Sequence, residues 1–230
     1  MKLEFEDKQE KSVFYFLLVF GFITLLVNIV KTFVVQPTEQ YVLLTFEMIA
    51  GIAVIFVPFV FTKFTGLVFP KMVRLYYWFF IWIAVFLGTG LRLIIVVPFW
   101  DKILHAVSPI LLVAVGYAII GYCLRESDFS KISPWLFIIM GFAFAGLCGV
   151  FWEFWEFLCD SLGNMNLQRY MTEARQPYIG REALMDTMGD LFTNTIGALI
   201  LTVYSFTQRH KPEYFKAYAF RKVNKKEPFF

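Results

Sequence analysis

Residues 134–160 read PWLFIIMGFAFAGLCGVFWEFWEFLCD, and the 19 positions from Pro134 to Trp152 carry no charge. An apolar run of about 20 residues is what a helix needs to cross the hydrocarbon core of a bilayer, at 1.5 Å per residue. It is far longer than a buried strand. With no water in that core to satisfy an open backbone, a helix is the conformation such a run can adopt there. The run ends unusually, with Glu153 and Glu156 set among Phe and Trp and Asp160 just beyond.

Five further runs of the same kind flank it, at about 12–30, 41–61, 75–97, 103–124 and 185–206. Of the 230 residues, 59% are hydrophobic, 20% aromatic and only 17% charged. Soluble domains carry about 25% charge. This composition excludes a disordered chain, a nucleic-acid-binding protein and a disulfide scaffold, and weighs against a soluble enzyme. The expected fold is therefore all-α, a polytopic helical bundle of six transmembrane helices. It forms one integral membrane domain over 1–230, with membrane lipids as its surroundings and a basic tail at 208–230. No internal repeat or low-complexity segment interrupts it. The first run does not read as a cleaved signal, since Glu4, Glu6, Asp7 and Glu10 precede it and no small-residue cleavage site follows.

Orientation follows from the lysines and arginines. Six crossings put both termini and the connections after spans two and four on one side. That side holds 15 of the 21 basic residues, including Arg209, Lys211, Lys216, Arg221, Lys222, Lys225 and Lys226. The other holds Lys31, Arg92, Lys102, Arg169, Arg175 and Arg181. Both termini are expected to be cytoplasmic.

Ionisable residues inside a membrane are costly and need a reason. In this topology they gather in the outer half: Glu47 and Arg92, then Asp101, Lys102 and His105, then Glu153, Glu156 and Asp160, then Asp186 and Asp190, with Asn194 one turn deeper. Asp101 and His105 stand at i, i+4. Glu153, Glu156 and Asp160 stand at i, i+3, i+7, and Asp186, Asp190 and Asn194 at i, i+4, i+8. Each set occupies one helix face, as a shared cavity requires. So many carboxylates repel one another at low dielectric unless they are protonated, paired or bound to a cation. Arg92, Lys102 and Arg181 can supply part of the compensation. A divalent metal (Zn, Mn or Mg) held by His105, Glu153, Glu156 and Asp190, with Asp101 or Asp186 orienting His105, can supply the rest.

Each feature also has a plainer reading. Asp101 can N-cap its helix, and Asp186 suits a helix first turn. His105 can be a packed core residue, and Glu47 with Arg92 an interhelical pair. Trp100, Trp152, Trp155 and Tyr178 read as an interfacial aromatic belt. Arg169, Arg175 and Arg181, in the long connection of residues 159–184, are either solvated or a phosphate clamp. Cys123, Cys148 and Cys159 lack CxxC spacing and read as small apolar residues. No P-loop, GxSxG or HExxH motif is present.

The elements DKILH (101–105), WEFWEF (152–157) and GREALMDTMGDLFTNTIGAL (180–199) together resemble the bacterial YjdF-like inner-membrane proteins. They are similar, more distantly, to the VanZ-like family, whose D-K-x-x-H, E-x-x-Q/E and R…D…N-T-x-G-A-L elements recur in that order. The resemblance covers 99–201 and implies a multi-pass protein of the bacterial cytoplasmic membrane. It implies Asp101, Lys102, His105, Glu153, Glu156, Asp190, Asn194 and Gly197 as site positions. It supplies no reaction. Glu156 departs from the usual VanZ-like Gln, and the Arg181–Asp190 spacing is longer than in that pattern.

Three functions compete on these residues. The first is a metal-dependent hydrolase or transferase acting on a lipid or lipid-linked substrate at the outer leaflet. There Glu153 or Glu156 would serve as base and Lys102 and Arg181 as cationic catalytic groups. The second is a cation or proton-coupled transporter, or a metal-binding membrane protein. The third is an accessory protein with a structural polar network.

Overall fold

The computed structural model describes residues 3–36, 38–172 and 174–223. Helix α1 (Lys8–Val34) is capped by Asp7, whose carboxylate accepts the Glu10 backbone N–H at 2.9 Å. Its buried stripe is Glu10, Phe14, Leu17, Gly21, Thr24 and Asn28. Phe22, Ile23, Leu26, Val30 and Phe33 point outward. Burying Thr24 and Asn28 while exposing that row of large apolar groups is unfavourable in water. It is natural where the surroundings are acyl chains.

The second apolar run is two helices, α2 (Thr38–Val54) and α3 (Val57–Thr65), meeting at 46°. Pro58 has no N–H to give the carbonyl of Val54, so the helix cannot continue straight. The freed acceptors are taken over from α4 (Lys71–Ile81): Tyr77 donates its hydroxyl to Val54 O at 2.6 Å, and Trp78 its indole N–H to Ile55 O at 3.0 Å. Helix α4 continues as a π-helix over Trp82–Gly90. There the expected third span, which ran on to residue 97, is cut short. Gly88 and Gly90 weaken the helix, Arg92 turns left-handed at φ 63°, and the apolar LIIV that follows is a separate turn, α5 (Leu93–Val96).

Helices α6 (Trp100–Cys123), α7 (Pro134–Gly163) and α8 (Met185–Thr207) form the second half, beneath which α9 (Pro212–Lys216) folds back. One core gathers Phe14, Met48, Phe59, Trp78 and Phe86; the other gathers Val113, Tyr117, Phe137, Ala198 and Phe215. Val73 on α4 with Leu111 and Ala114 on α6 joins the halves. Among the described residues four helices are long and apolar enough to cross a membrane: α1, α4 with its π-helical extension, α6 and α7. The bent α2–α3 pair makes a fifth. Helix α8 is not among them; Asp186, Asp190, Asn194 and its threonines make it less apolar.

Both described termini meet at one end. Arg221 of β2 (Arg221–Lys222) pairs with Glu6 at 2.7 Å, Lys71 pairs with Asp7, and β2 runs antiparallel to β1 (Leu67–Val68). The tail is thus folded onto the bundle as far as residue 223, anchored by buried Phe215. Lys225 and Lys226 lie outside the described residues.

Candidate functional site

The buried face of α7 reads Phe137, Ile138, Gly141, Ala145, Gly149, Glu153, Glu156, Asp160. Its lower turns are small and its upper turns acidic. Small residues let backbones approach closely. A Cβ on Gly141 would stand 2.3 Å from the Tyr117 ring, and one on Gly149 2.8 Å from Asn194 Nδ2. Helices α6 and α8 are closer still, since a Cβ on Gly197 would stand 2.0 Å from the carbonyl oxygen of Ala106. These contacts hold three helices together just below the polar layer. Pro109 adds a local feature, for it cannot donate to the carbonyl of His105 one turn earlier.

Above that constriction, the first turns of α6 and α8 face the last turns of α7. Lys102 Nζ lies 2.7 Å from both Asp186 Oδ1 and Asp190 Oδ1, and 3.4 Å from Asp101 Oδ2. His105 Nε2 stands 3.7 Å from Asp101 Oδ1 and 3.7 Å from Asp190 Oδ1, longer than a hydrogen bond. Two ligand triads result, Asp101–His105–Asp190 and Glu153–Glu156–Asp190, each with its ligand atoms within 4.8 Å of one another. Asp190, fully buried, belongs to both.

In the second triad Asp190 is compensated by Lys102, while the two glutamates have no ion-pair partner among the described residues. Glu156 Oε1 accepts the indole N–H of Trp152 at 2.9 Å. Glu156 Oε2, both oxygens of Glu153 and Asp190 Oδ2 are buried without a hydrogen bond among the described residues. Thr187 and Gln168, which bond each other at 3.0 Å, stand beside Glu153. No lysine or arginine forms an ion pair with either glutamate among the described residues. Carboxylates about 4 Å apart repel by about 4 kcal/mol at an effective dielectric of 20. Tetrahedral ligands at about 2.1 Å from one ion stand about 3.4 Å apart, so a triad would have to contract by up to about an ångström to close on a divalent cation.

The structure brings Asp101, Lys102, His105, Glu153, Glu156, Asp186 and Asp190 together, with corrections of detail. His105 stands with Asp101 and Asp190, so the four expected ligands divide into two overlapping sets. Asp101 is in the first turn of α6 and is not its cap; that position is Phe99, with no side-chain cap. Of the two acids expected to orient His105, Asp101 is the near one, while Asp186 binds Lys102. Arg181 is exposed on a 3-10 turn (Gly180–Leu184) and forms no ion pair among the described residues. The loop cation at the site is Arg169, whose Nη1 lies 3.5 Å from Asp101 Oδ2 and 3.7 Å from Asp186 Oδ1. Arg175 instead ties the loop, donating to the backbone and side-chain oxygens of Asn164, both at 2.9 Å.

Asp160 is a loop anchor: it accepts the backbone N–H groups of Leu167 at 2.7 Å and Gln168 at 3.0 Å. Trp152, read as part of an aromatic belt, donates to Glu156; its i, i+4 spacing was the available signal. Glu47 and Arg92 form no ion pair among the described residues. The three cysteines are unbonded.

The fold and site define a helical membrane protein with a polar, acid-rich centre at the end of the bundle opposite its termini. The chain belongs to the family of predicted membrane proteins described as DUF2238, whose family model matches residues 14–211. The resemblance read from residues 99–201 holds at that level. Comparison with curated proteins and with solved structures finds no match.

Proposed function

We propose that this protein is a multi-pass protein of the bacterial cytoplasmic membrane that crosses six times, with both termini in the cytoplasm. In this reading it is a metal-dependent hydrolase or transferase acting at the outer leaflet on a lipid or lipid-linked substrate. Helix α8 is the sixth crossing, its polar first turns sheltered against α6 and α7. The observation that carries the catalytic reading is the pair Glu153 and Glu156. They are almost wholly buried, stand with Asp190 in one group whose carboxylate oxygens lie within 4.8 Å of one another, and form no ion pair with a lysine or arginine among the described residues.

A divalent cation (Zn, Mn or Mg) held there would relieve the repulsion, act as a Lewis acid and lower the pKa of a bound water. Whichever glutamate oxygen stays unligated is placed to take that water's proton. Lys102, already engaged by Asp186 and Asp190, keeps the upper acids compensated and in place. The distant VanZ-like kinship belongs to this proposal too, resting on motif order alone.

Transport fits less well. A transport pathway connects to both faces, whereas below Asn194 the described interior is closed by Val113, Tyr117, Phe137 and Ala198.

Single-cysteine labelling with impermeant reagent in intact cells tests the topology: a cysteine at Gln176 should react and one at Lys226 should not. The opposite pattern would place the centre on the cytoplasmic face. Turnover of radiolabelled membrane lipids by purified, metal-supplied protein should fall at least about a hundredfold in Glu153→Gln and Asp190→Asn, the usual scale for a lost general base. Equal turnover in wild type and both variants would refute the catalytic reading.

A further inference from the structure

We infer that the substrate of the outer centre carries a phosphate group, bound by the guanidinium of Arg169 beside the Glu153–Glu156–Asp190 set. This rests on the proposed cation centre and names its substrate class. Three arginines lie in the connection between α7 and α8, and the structure separates their roles. Arg175 is consumed by Asn164. Arg181 is exposed and apart from the cluster. Arg169 stands at the edge of the cluster against Asp101 and Asp186, and its guanidinium makes no hydrogen bond among the described residues. Its closest approaches are the 3.5 and 3.7 Å contacts with Asp101 and Asp186.

The backbone is arranged to present it. Residues Leu167 and Gln168, immediately before Arg169, are pinned by Asp160, and the Arg169 N–H bonds back to Asn166 O at 3.2 Å. The Asn166 side chain accepts from the Met171 N–H at 3.2 Å and donates to the Met171 carbonyl at 2.8 Å, closing the other side. The turn holds Arg169 at φ 45°, a left-handed conformation that costs a non-glycine residue free energy.

Lys102 cannot serve the same end, because its ammonium already has two carboxylates at 2.7 Å. A guanidinium has five donors in a planar fork, which matches two oxygens of a phosphate. With a side chain 38% exposed, Arg169 is reachable from outside. A phosphate bridging it and a cation on the glutamates would have positive charge on both sides. Phosphoryl and phosphodiester chemistry uses that arrangement.

The test is calorimetric titration of the full-length protein in a neutral detergent, Mn²⁺-loaded and chelator-treated. The probes are inorganic phosphate, dihexanoyl-phosphatidylglycerol and the phosphate-free dihexanoylglycerol. Both phosphate probes should bind, with dihexanoylglycerol at least about tenfold weaker. Arg169→Gln should lose at least about tenfold in affinity for them, Arg169→Lys less, and Arg181→Gln none. Tighter binding of phosphatidylglycerol than of inorganic phosphate marks a lipid headgroup as the source; equal binding marks free phosphate or a soluble ester.

Equal affinity in wild type and Arg169→Gln, with both folded and equally metal-loaded, overturns the inference and leaves the cation centre standing. Equally tight binding of dihexanoylglycerol also overturns it. Arg169-dependent phosphate binding in a wild type that takes up no metal sustains this inference while the cation centre fails.

Discussion

Two clusters of charge, each with a buried core, stand at opposite ends of this bundle, and they are built differently. At the end where the termini meet, Glu10 is fully buried with Arg74 Nε at 2.8 Å, and Arg74 also reaches Glu6 at 3.1 Å. Arg221 caps Glu6, and Lys71 caps Asp7. Three acids meet three bases, and the cluster ties together α1, α4 and the tail. At the other end, five carboxylates from α6, α7 and α8 meet Lys102 and Arg169 as their only lysine or arginine partners among the described residues, and Glu153 and Glu156 have no ion-pair partner there. What separates the two ends is therefore not burial of charge but an excess of one sign.

Mutation should separate the two ends. The largest effect is expected at the balanced end. Arg74→Met leaves Glu10 buried without a counter-charge and should cost about 3–5 kcal/mol, while adding Glu10→Leu should recover most of it. Thermal unfolding in detergent checks both. In metal-free protein Glu153→Gln should be neutral or stabilising, because it removes an uncompensated charge. A loss at Glu153 as large as at Arg74 would make both clusters structural.

A smaller effect is expected at Gly197, where a methyl group must push α8 from α6. Gly197→Ala should cost about 1–3 kcal/mol. It should weaken cation uptake at the proposed centre while leaving the Arg74–Glu10 pair in place. Unchanged uptake would show that the spacing of these helices does not set the ligand geometry.

The smallest effect concerns Asp7. The Glu10 backbone N–H and the Lys71 ammonium hold its carboxyl below the usual range. A depressed folded value adds stability that is complete above the unfolded pKa, near 3.8, and lost as the pH falls through the folded one. Asp7→Asn should thus give slightly lower melting temperatures at neutral pH, converging with wild type as acid protonates Asp7. A gap that widens in acid would contradict this.

Much of the fold was legible in the sequence, for definable reasons. Long apolar runs report helices directly, and i, i+3 and i, i+4 spacing reports a shared face, so acids that the structure brings together could be grouped in advance. Apolarity does not report helix geometry. The bend at Pro58 and the break at Gly90–Arg92 lie inside uniformly apolar stretches, and the third run was read seven residues too long. Arg169 and Arg181 could not be told apart, because both are loop arginines. What distinguishes them is the grip of Asp160 on the Leu167 and Gln168 amides, a contact made only after α7 ends. The docking of α9 was equally hidden, since a basic tail with scattered aromatics reads as solvated.

Elemental analysis of the purified protein tests most directly whether the proposed cation completes the carboxylates of α6, α7 and α8. After chelator treatment, incubation with Mg²⁺, Mn²⁺ and Zn²⁺ and removal of free metal, wild type should retain one ion per chain. Glu153→Gln and Asp190→Asn should retain none, and Glu10→Gln should match wild type. No retained metal in wild type, or equal retention in the Glu153 and Asp190 variants, would contradict the account.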